Sequence, residues 1–424
     1  MLRSTVLGEL IALLRHFRYF VIANEPLAGP LLAVAMAALV FALLAPFTPP
    51  IAFNNGLGYD GRVYADLTAA MRGDHSGTVV PPWSFRLLPS ALVAVSGLDV
   101  RLGFLLVNLL SGLGSAWLLY RLLRHYGVSL PRILLVVGGW TVLPLGLRWA
   151  IYYPVLPDTL GFFLLLALIV TALEGRFLFF AVLLIAGTLT RENLIAMGPF
   201  LWFIHVRRDP LGVTVRSLVV GLAAVAVYFA VRLFPVIAPP PEYGNWIERY
   251  NIGLNLRQVF ENYDAHAWRY ALAALLSLGM FFALPLAWPR RALAFLGRER
   301  HWAYYLAMTF VVALVGGRGD DRYLYALVPL LAVLVVQVAP PTLWRSAWRV
   351  GALAVLHLVA VRFLWPVGAS EPEFLQYEVS AMPIDRLMAL TILCGILGIV
   401  GIAVARLNWR DLDRARGATA EASA

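Results

Sequence analysis

The sequence predicts an all-α polytopic membrane protein with about 12 transmembrane helices and a long first loop on one face. Three observations lead there. The chain of 424 residues is 61% hydrophobic and only 14% charged, which leaves too little polar surface for a soluble globule. Apolar runs long enough to cross a bilayer recur along its length. Its basic residues are all arginine, and one alternation of the runs across a membrane sorts most of their excess charge to one side.

The runs, each about 15 to 22 residues where about 30 Å of hydrocarbon must be crossed, lie at 27–46, 101–122, 133–149, 158–173, 177–190, 194–206, 214–234, 269–288, 302–316, 322–339, 349–366 and 386–406. Of these 194–206 is the shortest. The segment 85–97, interrupted by Pro89, reads as a short interfacial or re-entrant piece and not as a further crossing. The first run follows an arginine-bearing stretch with no small-residue cleavage site behind it, so it reads as a retained anchor. The chain therefore reads as one transmembrane helical domain, 1–406, with outer loops 47–100 and 235–268 forming the site, and a cytoplasmic tail, 407–424.

With the N-terminus inside, the alternation leaves about 20 arginines against about 8 acids on the cytoplasmic side, and about 14 against about 16 on the other. The net charge of +10 is thus a topology signal and calls for no nucleic acid. An all-arginine, Ala/Leu/Val-rich chain suits a GC-rich bacterium, in which this protein sits in the inner membrane, both termini cytoplasmic, and its outer face is periplasmic. The single cysteine, Cys394, lies in the last run and supports neither a disulfide framework nor a cysteine metal site. His75 and His266 are isolated and suggest no metal pair. No nucleotide-binding glycine loop is present.

The outer face collects Asp60, Arg62, Asp66, His75, Arg86, Arg148, Asp158, Arg191, Glu192, Arg318 and Arg322, while the central turns of the runs are almost free of ionisable groups. Ions are costly inside a bilayer and are usually kept there for a pathway. A transporter would hold polar groups or broken helices near the midplane. This chain gathers its chemistry at one interface.

Four stretches carry a resemblance: LGYDGRVYADL at 57–67, FRLLP at 85–89, LTREN at 189–193 and DRYLYALVPLL at 321–331. Together they resemble the GT-C superfamily of membrane glycosyltransferases, and within it mannosyltransferase-like bacterial members whose first loop carries a tryptophan- or tyrosine-Asp-Gly followed by a tyrosine. The resemblance implies transfer of a sugar from a polyprenyl-phosphate donor to an acceptor on the outer face, for cell-envelope glycan or glycolipid synthesis, with no cofactor. It implies Asp60 as general base. Family members often pair acids in this loop, whereas Gly61 follows Asp60 here, which speaks against a two-acid or metal-dependent mechanism.

The same chemistry follows from residue types. Glycosyl transfer needs a base for the acceptor hydroxyl and cations for the leaving phosphate, and arginine forks bind phosphate bidentately. Asp60 is read as catalytic. Arg86, Arg191, Glu192, Arg318, Arg322, Tyr59, Tyr64 and Asp158 are read as binding the donor phosphate or substrate, beside the membrane lipid. Each has a plain structural alternative. Asp60 could cap a helix, Arg86 could snorkel from the interface, Arg191 and Glu192 could pair with each other in a tight turn, and Asp158 after Pro157 could serve a helix dipole. If 60–70 is helical, Asp60 and Tyr64 share a face, and Arg62 with Asp66 forms a separate structural pair. The glycines beside Asp60 would give a ligand close approach. The loop 235–268 reads as a surface lid or acceptor platform. A multi-span transporter or flippase of a lipid-linked or amphipathic solute is the alternative function, and an envelope polymer ligase or assembly scaffold a third.

Overall fold

The structure, a computed structural model, describes residues 25–235, 263–315, 320–363, 368–373 and 382–407. Among the described residues every regular element is helical. They sort into two compact units, Met1–Arg249 with Gly368–Glu371, and Tyr250–Val367 with Pro372–Ala424, where the sequence reads as one domain.

The first unit runs α1 (Glu25–Leu44), α2 (Asp60–Met71), α3 (Leu87–Ser96), α4 (Val100–His125), α5 (Leu130–Val142), α6 (Leu147–Tyr152), α7 (Asp158–Leu173), α8 (Phe177–Thr188), α9 (Gly198–His205) and α10 (Pro210–Leu233). Local chemistry sets the boundaries. Asp99 caps α4 by accepting from the backbone N–H of Arg101 and Leu102 at 3.0 and 3.2 Å. Asp209 caps α10 through the N–H of Gly212 at 2.9 Å, with Pro210 at the first helical position. Gly97, at φ 68°, closes α3 in the left-handed conformation. Pro89 falls in the first turn of α3 and so does not interrupt it; ten residues, about 15 Å, are nevertheless too few to cross a bilayer.

The core of this unit is α7, apolar on every side and buried along nearly its whole length against α4 and α8. Trp140 of α5 stacks on Phe162 of α7 at 5.8 Å between ring centroids. Asn108 of α4 is buried and donates to the carbonyls of Pro154 and Leu156 at 2.6 and 2.8 Å, which clamps the turn leading into α7.

The second unit contains α11 (Tyr263–Leu278), α12 (Met280–Leu286), α13 (Pro289–Arg298), α14 (Arg300–Val315), α15 (Asp320–Leu324), α16 (Val328–Val338), α17 (Ala347–Leu358), continued by a π-helical turn at Val359–Phe363, and α18 (Ile384–Arg406). Its organising contacts are α18 against α11 and α12, and α12 against α16.

Five helical stretches of the described residues are long and apolar enough to cross a membrane: Glu25–Phe47, Val100–His125, Leu130–Tyr152, Pro210–Leu233 and Ile384–Arg406. A sixth is counted if Ala267–Leu278 and Met280–Leu286, bent by 101°, form one span. Asp158–Leu173, Phe177–Thr188 and Arg322–Val338 are apolar but shorter. The run 194–206 divides into a 3-10 segment, Glu192–Met197, and the eight-residue α9. By length and composition these helices suggest a helical membrane protein. The lid expected from the loop 235–268 falls largely outside the described residues, as do the first 24 residues and nearly all of the expected tail.

One glycine is indispensable to the packing of α5 and α6. A Cβ on Gly146 would stand 2.6 Å from the carbonyl oxygen of Trp140, and 3.1 and 3.2 Å from those of Leu143 and Thr141. These are backbone atoms that cannot rotate aside. Gly146→Ala is expected to destabilise the protein by about 1 to 3 kcal/mol, the usual cost of an overpacked interior, read as a lowered thermal midpoint of the purified protein. An unchanged midpoint would refute this packing of the turn.

Candidate functional site

The first loop delivers Asp60 through a run of left-handed residues. Asn54, Asn55, Gly56 and Gly58 have φ of 52°, 56°, 76° and 63°, a conformation that asparagine and glycine accept most readily. The Asn54 side-chain amide donates to the Gly58 carbonyl at 2.9 Å and tightens the turn. Asp60 is the first residue of α2, partly exposed, where its charge suits the helix dipole. Tyr59, and not Asp60, holds the cap position.

The glycines beside Asp60 are not open space. A Cβ on Gly58 would meet the Tyr153 hydroxyl at 2.4 Å, and one on Gly61 would meet Tyr153 Cε2 and Val155 Cβ, both at 3.1 Å. The Tyr153 hydroxyl accepts the Gly61 N–H at 3.1 Å. Their small size thus seats the loop on an aromatic neighbour, which corrects the expectation that they leave room for a ligand. Tyr59 hydrogen-bonds Glu371 and packs edge-on to Phe53 at 5.1 Å.

Tyr64, one turn after Asp60, is fully buried. The two share a face of α2 as the spacing predicts, since Tyr64 lies within electrostatic range of Asp60, Arg86 and Arg191. Arg86 Nη1 donates to the Tyr64 hydroxyl at 3.1 Å. Burial pushes this hydroxyl above its usual pKa, with the two guanidiniums pulling the other way, so it stays a neutral phenol.

FRLLP and LTREN meet. Arg86 forms a two-pronged contact with Glu192, Nε to Oε2 at 3.0 Å and Nη2 to Oε1 at 2.7 Å. The Leu88 N–H donates to the Leu189 carbonyl at 3.1 Å and fastens the two segments again. Arg191 and Glu192 do not pair with each other. Arg191 is extended, φ −149° and ψ 116°, so neighbouring side chains diverge, and Arg191 instead forms an ion pair with Asp158 at the start of α7. Gly161 gives the Arg191 stem its path: a Cβ there would stand 3.3 Å from Arg191 Cγ. Burial by itself would raise the Glu192 carboxyl, but the charge and hydrogen bonds of Arg86, with Arg191 beside it, bring it down to about 2. So acidic a group is a weak base at neutral pH.

One member of the cluster was not singled out in the sequence. Arg232, near the end of α10, lies with its guanidinium carbon 3.4 Å from the Tyr228 ring centroid and 4.5 Å from that of Phe85, within electrostatic range of Glu192 and Arg86. Its signal was an arginine one residue from the end of a helix whose second half is otherwise apolar, which reads equally as an interfacial anchor.

Other expected residues fall elsewhere. Asp66 is held by the Thr78 N–H and packs beneath Gly77, its carboxyl raised chiefly by burial, which fits its structural reading. His75 is exposed, and the described residues include no group of three or more acids, histidines or cysteines placed to hold a metal. Arg322 belongs to the second unit, in α15. Arg318 lies outside the described residues.

The opposite ends of the first unit's helices carry a separate set of pairs: Arg121 with Glu174, Arg124 with Glu25 at 3.2 Å, and Arg176 with Glu174 at 3.0 Å. Asp60, Tyr64, Arg86, Asp158, Arg191, Glu192 and Arg232 thus occupy one end of the unit and the arginine-rich pairs the other.

The Arg86 fork gives a directional expectation. With its folded pKa depressed, Glu192 contributes stability that is present above its ordinary value of about 4.3 and is lost as pH falls toward about 2. Glu192→Gln leaves Arg86 inside without its counter-charge, and should lower the thermal midpoint at neutral pH by more than it does at pH 3. A midpoint lowered equally at both pH values would contradict the ion-pair role. No protein-family model, curated protein or solved structure matches the chain.

Proposed function

We propose that the protein is a membrane glycosyltransferase that moves a sugar from a polyprenyl-phosphate donor to an acceptor on the periplasmic face of a bacterial inner membrane. The observation that supports this reading most is the convergence, at one end of the first unit, of a partly exposed acid at a helix start with three guanidiniums, Arg86, Arg191 and Arg232. Asp60 takes the proton of the acceptor hydroxyl as the sugar carbon forms its bond to that oxygen and the bond to phosphate oxygen breaks. The guanidiniums stabilise the charge that the departing lipid phosphate gains. Arg86 and Arg191 arrive already oriented by Glu192 and Asp158, so little ordering is left for the moment of reaction. Tyr64 and Tyr59 frame the acid from the buried and exposed sides.

The finer topology belongs to the same proposal: about twelve crossings, both termini cytoplasmic, and the cluster outside. The separation of the arginine-rich pairs from the Asp60 cluster at opposite ends of the first unit supports it. Ser76 is exposed in the loop after α2. A cysteine placed there, with Cys394→Ser removing the native thiol, is expected to react with a membrane-impermeant maleimide in intact cells. Reaction only after permeabilisation would place the cluster in the cytoplasm and end the periplasmic reading.

Asp60→Asn keeps size and hydrogen-bonding capacity but cannot take a proton. Turnover with a polyprenyl-phosphate sugar is expected to fall by about 10² to 10⁴-fold while donor binding is retained. Wild-type turnover by the folded variant would remove Asp60 as base. Asp158 would then be the next acid to test, since the depressed Glu192 is poorly suited. The alternative, a transporter or flippase of a lipid-linked or amphipathic solute, draws on one feature, the break in the span at Gly279. Lipid translocation without sugar transfer by the wild-type protein would favour it.

A further inference from the structure

The second unit holds an ionisable side chain where an interrupted helix needs an acceptor. Gly279 takes φ 51° and ψ −131°, a backbone state open essentially to glycine, and the chain turns by 101° between α11 and α12. A break of this kind frees backbone N–H groups that apolar surroundings cannot satisfy. The Met280 N–H is taken up by Nδ1 of His357, at 3.1 Å and fully buried. His357 comes from α17, about ten residues and hence about 15 Å along its axis. It is therefore deep within the apolar run 349–366. The imidazole is wedged in place, with Phe281 edge-on at 5.5 Å and Gly279 so close that a Cβ there would meet Nδ1 at 2.6 Å.

Because the Met280 N–H is a donor, Nδ1 must present its lone pair, and the neutral ring carries its proton on Nε2. A second proton can enter only at Nδ1, where it would confront that N–H donor to donor. We propose that His357 is a proton-binding site that controls the break at Gly279. Neutral His357 holds α12 in its bent position, and protonation releases it. This goes beyond the glycosyltransferase reading and does not depend on it.

The elements packed around the imidazole carry further titratable and charged groups. Helix α12 carries no titratable side chain, and α18, which packs on both α12 and α17, brings Asp385 and Arg386 at its start, Cys394 at its middle and Arg406 at its end, the last donating to the Ala287 carbonyl at 2.7 Å. Helix α11 brings Tyr263, Asp264 and His266 in its first turn, then Arg269 and Tyr270, whose hydroxyl donates to the Ala313 carbonyl at 2.8 Å. On the histidine's own element, Arg349 donates to the Leu407 carbonyl at 2.7 Å, and Arg362 stands in the π-helical turn beyond. Carboxylates on these elements occur only near helix starts, at Asp264 and Asp385.

The position of α12 can be read by a cross-link. A Cβ on Gly398 of α18 would stand 3.7 Å from Cβ of Ala283 in α12, inside the disulfide range of about 3.5 to 4.5 Å. Cysteines at 283 and 398, with Cys394→Ser, should cross-link readily under copper–phenanthroline at pH 8 in the purified full-length protein. His357→Asn supplies a non-titrating acceptor, and His357→Gln a second if the first does not fold. The rate with His357 intact, divided by the rate in the non-titrating variant at the same pH, cancels the pH dependence of thiol oxidation. That ratio is expected to be near one at pH 8 and to fall severalfold as the pH is lowered to about 5. A ratio that stays constant would overturn the proton-controlled break. Failure of the pair to cross-link at pH 8 in every background would overturn the seating of α12 on α18 from which it is argued.

Discussion

The fork between Arg86 and Glu192 is the interaction on which the site end of the first unit depends. Taking a guanidinium out of water costs several kcal/mol unless its donors are met with good geometry. Arg86 is 7% exposed, and its donors go to both oxygens of Glu192 and to the Tyr64 hydroxyl. That one side chain therefore fixes three separate pieces of chain: the turn before α3, the segment after α8, and the buried face of α2 that also carries Asp60. The Leu88 to Leu189 backbone bond holds the first two in register, so the fork closes without a search. Arg191 and Asp158 repeat the arrangement one residue away and tie in the start of α7. An apolar bundle has few other means of fixing the rotation and depth of its helix ends, because contacts among leucines are permissive.

Much of this was legible in the sequence, for definite reasons. The helical membrane class followed from composition, and the apolar runs 27–46, 101–122, 133–149, 214–234 and 386–406 each correspond to a helical stretch of spanning length, because hydropathy reports what a bilayer demands. The structure brings Arg86, Asp158, Arg191 and Glu192 together at the end of the first unit that also carries Asp60, and alternation of the apolar runs sends the same loops to one end. The pairing within the cluster was not legible. Adjacent residues 191 and 192 suggested a local pair, and only the extended conformation of Arg191 sends them to different partners. The glycines beside Asp60 looked like space because nothing in the sequence near them announces Tyr153, about 90 residues later, as the group that fills it. The central turns also looked almost free of ionisable groups, and His357 is an exception. A lone histidine in an apolar run carries no sign of the distant N–H it must satisfy.

The two units handle buried polarity in different ways, and the difference follows from where the demand arises. In the first unit the unsatisfied groups are side chains at helix ends, so opposite charges can be brought together from neighbouring loops. At the Gly279 break in the second unit the demand is a backbone N–H within a span, where an ion would be costly and a neutral imidazole is a sufficient acceptor.

Charge counting connects the first unit's arrangement to the proposed chemistry. Arg86, Arg191 and Arg232 face Glu192 and Asp158, and Asp60 stands in electrostatic range of the same Tyr64 that Arg86 contacts. An ionised Asp60 brings the acids level with the guanidiniums, three to three. In the proposed reaction Asp60 gains a proton and loses its charge in the same step in which the leaving phosphate acquires one. Negative charge therefore moves from the carboxylate to the phosphate while the guanidiniums stay as they are. A site of this kind needs no rearrangement of its cations between ground and transition state, which is the condition under which fixed charges lower a barrier most. The ion pairs that hold Arg86 and Arg191 in place would then serve the chemistry by keeping those cations still.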